Sequence, residues 1–211
     1  MSEVFGSGWS KVHEAKDNLD SGLWKLWVPA DESRVVHFLT TEPVTYFQHT
    51  VRNAAGKWDS IICTQQDCPY CQQGERKSFV GSFLVLVRPH QSKGKEVGTR
   101  IRLYTPSMRV LNQLEKFPED AEVEALDSVD IRISRTGAGT NTAYTLMPKP
   151  GKVTKEDDNV IKESLKVDST DEKTLKELLV KFLQDDFEKV KARNTNLSTT
   201  EFAEESDEIP F

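Results

Sequence analysis

The sequence predicts a mainly β domain, a small partly open barrel with a zinc-binding knuckle insertion, a C-terminal helix and a disordered acidic tail. Three observations predict it. Short β-branched and aromatic runs bounded by turn residues recur through the first 150 residues, and a single helical period interrupts them. All three cysteines fall in one stretch, CTQQDCPYC.

Residues 1–20 (MSEVFGSGWSKVHEAKDNLD) hold no sustained period and are expected to be a flexible N-terminal segment. Regular patterning begins at Leu23–Val28 (LWKLWV). After a Pro29–Ser33 turn it continues in Arg34–Leu39 (RVVHFL) and then Tyr46–Arg52 (YFQHTVR), and all three read as strands. Phe83–Arg88 (FLVLVR) is apolar almost throughout, as in a strand buried on both faces. His90–Gly98 reads as a polar loop, and Thr99–Tyr104 (TRIRLY) alternates. In Pro106–Phe117, Val110, Leu111 and Leu114 recur at helical spacing behind a proline suited to a first turn. Val129–Ser134 and Thr142–Met147 flank RTGAGTN, which predicts a β-hairpin. Pro148–Gly151 (PKPG) then marks the edge of a domain covering residues 21–150, with the knuckle at 49–78. Five to seven short strands with one late helix suit an OB-fold-type partly open barrel, and the helix counts against an immunoglobulin-like sandwich.

Residues 151–169 read as a charged, mobile linker. Over 170–193, Leu175, Leu178, Leu179, Phe182, Leu183, Phe187 and Val190 form one apolar stripe of an amphipathic helix. That stripe either docks on its own domain or makes a homodimer contact. Residues 194–211 are expected to be disordered, and Glu201–Phe211 (EFAEESDEIPF) holds five acids and no base.

The net charge of −6 lies entirely beyond residue 150. Residues 1–150 carry 18 basic and 18 acidic side chains, while Gln48–Arg109 holds 10 Lys/Arg against 4 acids. A basic middle is a candidate polyanion site. No apolar run is long enough to cross a bilayer and no signal segment opens the chain, so a cytosolic protein is expected.

Cys68-Pro69-Tyr70-Cys71 has the spacing of a redox dithiol and equally of a zinc knuckle. A redox dithiol needs a thiolate at the start of a helix after a strand. The residues after Cys71 (QQGERKS) carry an early glycine and no apolar period. His49, Cys63, Cys68 and Cys71, within 23 residues, supply four donors of the softness that tetrahedral zinc prefers. His37, in an apolar run, reads as a packed core residue. A closed four-ligand site is structural, with one Zn2+ per chain. No phosphate loop, nucleophile elbow or HExxH motif points to an enzyme.

Alternation assigns Arg100, Arg102 and Tyr104 to one face of their strand, and Tyr46, Gln48, Thr50 and Arg52 to one face of theirs. Arg132 stands opposite Ile131 and Ile133. Cations that track phosphates and rings that stack bases are what a single-strand binder needs. The candidate contacts are Tyr46, Arg52, Trp58, Arg76, Lys77, Lys93, Lys95, Arg100, Arg102, Tyr104 and Arg132. Trp24 and Trp27 fall on opposite faces, which leaves at most one of them for stacking.

The run RVVHFLTTEPVTYFQH, the CPYC knuckle, the FLVLV strand and the hairpin IRISRTGAGTNTAYTLMP together resemble phage single-stranded DNA-binding proteins. Those have an OB-fold core with a zinc subdomain and are distantly like the helix-destabilising protein of T-even phages. Asp207-Glu208-Ile209-Pro210-Phe211 is similar to the tail of bacterial single-stranded DNA-binding proteins. The resemblance implies sequence-independent coating of single-stranded DNA in phage replication, recombination and repair, in the cytoplasm of the infected bacterial host. It also implies that Asp207, Glu208, Ile209, Pro210 and Phe211 recruit a polymerase, helicase, primase or recombinase. Two other readings stay open: a zinc-dependent thiol oxidoreductase or nuclease, and an RNA-binding or transcription module.

Overall fold

The computed structural model describes residues 23–52, 58–65, 68–92, 94–137 and 141–200, with residue 59 and residues 189–200 described by backbone alone. The chain runs β1 (Ser33–Phe38), β2 (Val44–Arg52), β3 (Trp58–Ile62), the one-turn α1 (Pro69–Gln72) and β4 (Lys77–Val87). A short hairpin of β5 (His90–Ser92) and β6 (Lys95–Val97) follows, then β7 (Arg100–Tyr104), α2 (Met108–Asp120), β8 (Asp130–Thr136) and β9 (Ala143–Lys149). It ends with α3 (Lys155–Leu165) and α4 (Glu172–Thr200).

β4 organises the sheet. Its first half, Lys77–Ser82, pairs with β2, and its second half pairs with β7 over Phe83–Val87 and with β1 over Val85–Val87. The main sheet follows the order β3-β2-β4-β1-β8-β9, with β7 added on β4. Its end strands β3 and β9 do not pair with each other, so the sheet is open.

Register assigns the side chains to two faces. Phe83, Val85 and Val87 share one face with Val36, Phe38, Ile131, Ile133 and Tyr104, and α2 covers it with Val110, Leu114 and Phe117. Leu84, Leu86, Ile101 and Leu103 share the other, covered by Ile161 of α3 and by Leu175, Leu179 and Leu183 of α4. Each fully buried leucine contributes about 1.5–3 kcal/mol, so α4 is docked by its stripe on this domain.

The OB-fold-type barrel is therefore overturned. A barrel encloses one apolar face. Here the central strands are apolar on both faces, and each face takes a helix layer. The domain is mixed α/β with four dispersed helices around an open sheet, not a mainly β barrel with one C-terminal helix.

Local readings change with it. The charged linker contains α3, which starts in a capping box. Thr154 Oγ1 accepts from the Asp157 N–H at 3.2 Å, and Asp157 Oδ2 accepts from the Thr154 N–H at 3.0 Å. Lys166, at φ 54°, closes it in the left-handed region. α4 is anchored at its start, where Glu172 Oε1 accepts the Thr41 N–H at 2.7 Å. Leu23–Val28 makes one isolated bridge, Lys25 to Leu103, instead of a full strand. The predicted loop at His90–Gly98 contains the β5–β6 hairpin, while the β8–β9 hairpin forms where the turn-rich RTGAGTN predicted it. Gly81 is needed for packing. A Cβ there would lie 2.9 Å from Pro43 Cβ and 3.2 Å from Leu111 Cδ1, so only glycine lets α2 and the β1–β2 connection approach β4 this closely.

One polar network crosses these layers. Arg88 donates to Asp130 through Nε and Nη2, both at 2.9 Å, to Asp157 Oδ2 at 2.5 Å and to the Lys152 carbonyl at 2.9 Å. His37 Nδ1 lies 2.9 Å from Asp130 Oδ1. Gly151 makes room for that carboxylate, since a Cβ there would fall 2.2 Å from Asp130 Oδ2. The network ties residues 152–157 to the sheet. Among the described residues no helix is long and apolar enough to cross a membrane.

Candidate metal centre and basic groove

The cysteine-rich stretch folds back on β2. Register places His49 opposite Ile61 of β3 and Lys77 of β4, in the middle of a three-stranded ribbon. Cys63 follows β3 directly, and its N–H donates to the Phe47 carbonyl at 2.8 Å. Cys68 is the N-cap of α1 and Cys71 lies within that turn. A short helix with a cysteine at its start was not expected, because QQGERKS has no helical period. Pro69 at the first helical position starts it.

His49, Cys63, Cys68 and Cys71 bring four potential ligand atoms within 4.8 Å of one another. Cys63 Sγ and Cys71 Sγ are 3.5 Å apart, and His49 Nε2 lies 3.4 Å from the sulfurs of both Cys68 and Cys71. Ligands about 2.0–2.3 Å from one tetrahedral ion stand roughly 3.5–3.8 Å from each other. These separations fit a shared metal and exceed the ~2.05 Å of a disulfide bond. His49 is fully buried, and its Nδ1 has no hydrogen-bond partner among the described residues. The Tyr70 ring leans over the imidazole at 5.7 Å between centroids.

The thiols are unequal. Burial pushes the Cys68 thiol up, but backbone N–H groups of Cys71, Thr64 and Tyr70 outweigh it and pull the group down to about 6. Cys71 is pushed up to about 11, first by its hydrogen bond to Cys63 and then by burial and the neighbouring sulfurs. Such a set resists complete deprotonation until a cation offsets the gathered charge. The cluster can hold a metal ion.

A second constellation lies elsewhere on the domain. A groove of about 550 Å³ is lined by Trp27, Arg34, His90, Arg100 and Arg102 among others, beside the β5–β6 hairpin. Trp27 is 70% exposed, and the Arg135 guanidinium sits 4.8 Å from the centre of its ring. Arg34 is buried and paired with Glu32 at 2.6 Å. No carboxylate pairs with Arg100 or Arg102 among the described residues. Burial, and then the charge of Arg100, hold the Arg102 guanidinium below its ordinary value.

The other candidate contacts scatter. Arg52 is exposed, with its guanidinium 4.9 Å from the centre of the exposed Trp58 ring, and Lys77 Nζ lies 5.0 Å over Phe47. Arg76 and Lys95 are exposed, and Arg132 is half-buried with its Nε unpartnered. Tyr104 must be corrected. It is 5% exposed, packs edge-on against Phe38 at 6.1 Å, and burial drives its phenol well above the ordinary range. The face of β7 that alternation marked is open at Arg100 and Arg102 but closes over at Tyr104, which lies in the core that α2 covers. Tyr46 is half-buried against the α4 side, with its hydroxyl 3.1 Å from Ser82 Oγ, while Phe47 and Phe79 are exposed. On the face of β2 that alternation named, α4 covers Tyr46, while Thr50 and Arg52 farther along the strand are exposed. Trp24 and Trp27 are both exposed, because their segment bridges the sheet at one residue only. Lys93 and the tail residues Asp207, Glu208, Ile209, Pro210 and Phe211 lie outside the described residues.

No protein-family model, no curated protein and no solved structure matches this chain. The resemblance to phage single-stranded DNA-binding proteins is thus overturned twice, by the open α/β architecture and by the lack of any matching relative.

Proposed function

We propose that this chain is a non-enzymatic binder of single-stranded nucleic acid whose His49/Cys63/Cys68/Cys71 cluster holds one structural zinc ion. The observation that carries the first half is an exposed tryptophan beside two arginines, Arg100 and Arg102, that pair with no carboxylate among the described residues, in one groove. Two like charges held together favour an anion between them, and an exposed indole offers a face on which a base stacks for roughly 1–3 kcal/mol. The backbone of a single strand supplies the first and its bases the second. Zinc is favoured for the cluster because three thiols and one imidazole are its preferred donors, and four protein ligands leave no open position for catalysis.

Fluorescence anisotropy with labelled oligo-dT and oligo-U of equal length tests this. Binding is expected to both or one, to weaken steeply with salt, and to exceed binding to duplex. Failure to bind any single strand at low salt, or undiminished binding by Arg100→Ala/Arg102→Ala, would reject it. Native mass spectrometry should find one zinc per chain, lost in Cys68→Ser.

A second reading rests on Cys68 alone. A thiol lowered to about 6 at the start of a helix is the kind of group that attacks disulfides. It requires the cluster to be metal-free in freshly isolated protein and Cys68–Cys71 to cycle with a dithiol reductant.

A further inference from the structure

A second groove, of about 680 Å³, opens where α2 crosses the first half of β4. Phe79, Phe83, Met108, Leu111 and Pro118 line it, together with Glu42, Glu115 and Glu124. Phe79 and Met108 are 41% and 44% exposed at its mouth. Among the described residues no lysine, arginine or histidine lines it. The arginine groove is its electrostatic opposite, so a polyanion drawn to one is turned away by the other.

We propose that this groove docks a basic, amphipathic helical segment of a partner protein, a role beyond the nucleic-acid reading. Charge complementarity commits the occupant. An apolar lining takes large side chains from one helix face, and lysines or arginines flanking that face meet the glutamates. Glu115 and Glu124 have no ion-pair partner among the described residues, whereas Glu42 already holds Lys176 at 2.8 Å. Met108 at the mouth gives the site a flexible, polarisable lip suited to such a helix.

The probe is a fluorescein-labelled synthetic helix with apolar residues at i, i+3, i+4 and i+7 and lysines on its flanks, measured by anisotropy on the full chain. Its twin carries glutamate in place of every lysine. The lysine peptide should bind roughly tenfold tighter than the twin, the size of two or more exposed ion pairs made or opposed. Glu115→Lys/Glu124→Lys, both at exposed positions, should reverse that order without weakening oligo-dT binding. Equal affinity for the two peptides, no binding of either, or indifference to the charge reversal overturns the proposal. So does a concentration-dependent dimer that Met108→Lys abolishes, because the groove would then belong to a second copy of this chain. Loss of oligo-dT binding by the parent chain, with the peptide order intact, would count against the nucleic-acid reading alone.

Discussion

Replacing Arg88 by methionine should be the most costly single polar substitution in the domain. The methionine keeps most of the stem and removes every donor. Asp130 and Asp157, whose side chains are each 9% exposed, would lose the guanidinium that joins them, and the Lys152 carbonyl would lose its donor. Breaking a buried ion pair from one side typically costs about 3–5 kcal/mol, because the remaining carboxylates stay buried with only His37 beside Asp130 and the Thr154 N–H on Asp157 to offset them. Arg88 itself is only 17% exposed, so solvent relieves little of that. In a domain of this size the loss corresponds to a Tm lower by roughly 6–20 °C. Urea unfolding of parent and variant measures it directly, and a double-mutant cycle with Asp157→Asn should show strong coupling. The pH dependence follows from Asp157. Burial raises its carboxyl, but the Thr154 N–H and Arg88 outweigh this and hold it below the ordinary range. A depressed carboxyl contributes stability in full above its unfolded value of about 3.9 and loses it as pH falls through the folded value. The parent should therefore lose stability below about pH 4, and Arg88→Met should flatten that dependence. A cost under about 1 kcal/mol would mean that these groups behave as solvated surface pairs and that the network holds nothing together.

Further outcomes separate the readings of the surface. Arg100→Ala should weaken single-strand binding to all sequences alike and make the salt slope shallower by roughly 0.7, whereas Trp27→Ala should weaken it with the slope unchanged. Salt titrations of each variant read both, and equal slopes throughout would place the phosphates elsewhere. Tyr104→Ala should cost about 3–5 kcal/mol of stability by denaturant melt and leave strand affinity per folded molecule unaltered. A stable variant with weakened binding would restore Tyr104 to the surface. Deleting residues 203–211 should leave strand affinity equal or higher, most visibly at low salt, since the segment carries four of the five tail acids. Weaker binding after deletion would show that the tail assists the strand instead of competing with it.

Most strands were legible because their periods are local. Phe83–Arg88 announced burial on both faces, and turn residues placed the β8–β9 hairpin. That His49, Cys63, Cys68 and Cys71 could come together around a metal was legible for the same reason, since they lie close in sequence with distinctive chemistry. What failed was assembly. The stripe Leu175–Leu183 was visible, but nothing local says that it covers the face of β4 carrying Leu84 and Leu86. Without that layer the strands read as a barrel and Tyr46 was turned toward solvent, while Tyr104 is buried on the opposite face, in the core that α2 covers. The linker failed differently. Residues 155–165 are so charged that Ile161, their one fully buried side chain, was too weak a signal, and the Arg88 that holds Asp157 lies 69 positions away. Arg135 over Trp27 was equally out of reach, since ring and cation come from opposite ends of the β domain.

β4 belongs to two neighbourhoods at once. Lys77–Ser82 lean on β2, which carries His49, while Phe83–Val87 sit between β7 and β1 at the centre of both cores. One backbone therefore records two opening reactions. Its later amides can exchange with deuterium only when the whole domain unfolds, whereas its first amides are released when the ribbon around the cysteines opens. If the cluster holds the proposed zinc, chelation should steepen the protection gradient within this single strand, and the residue at which protection recovers marks where the local order around the cysteines ends and the domain's begins.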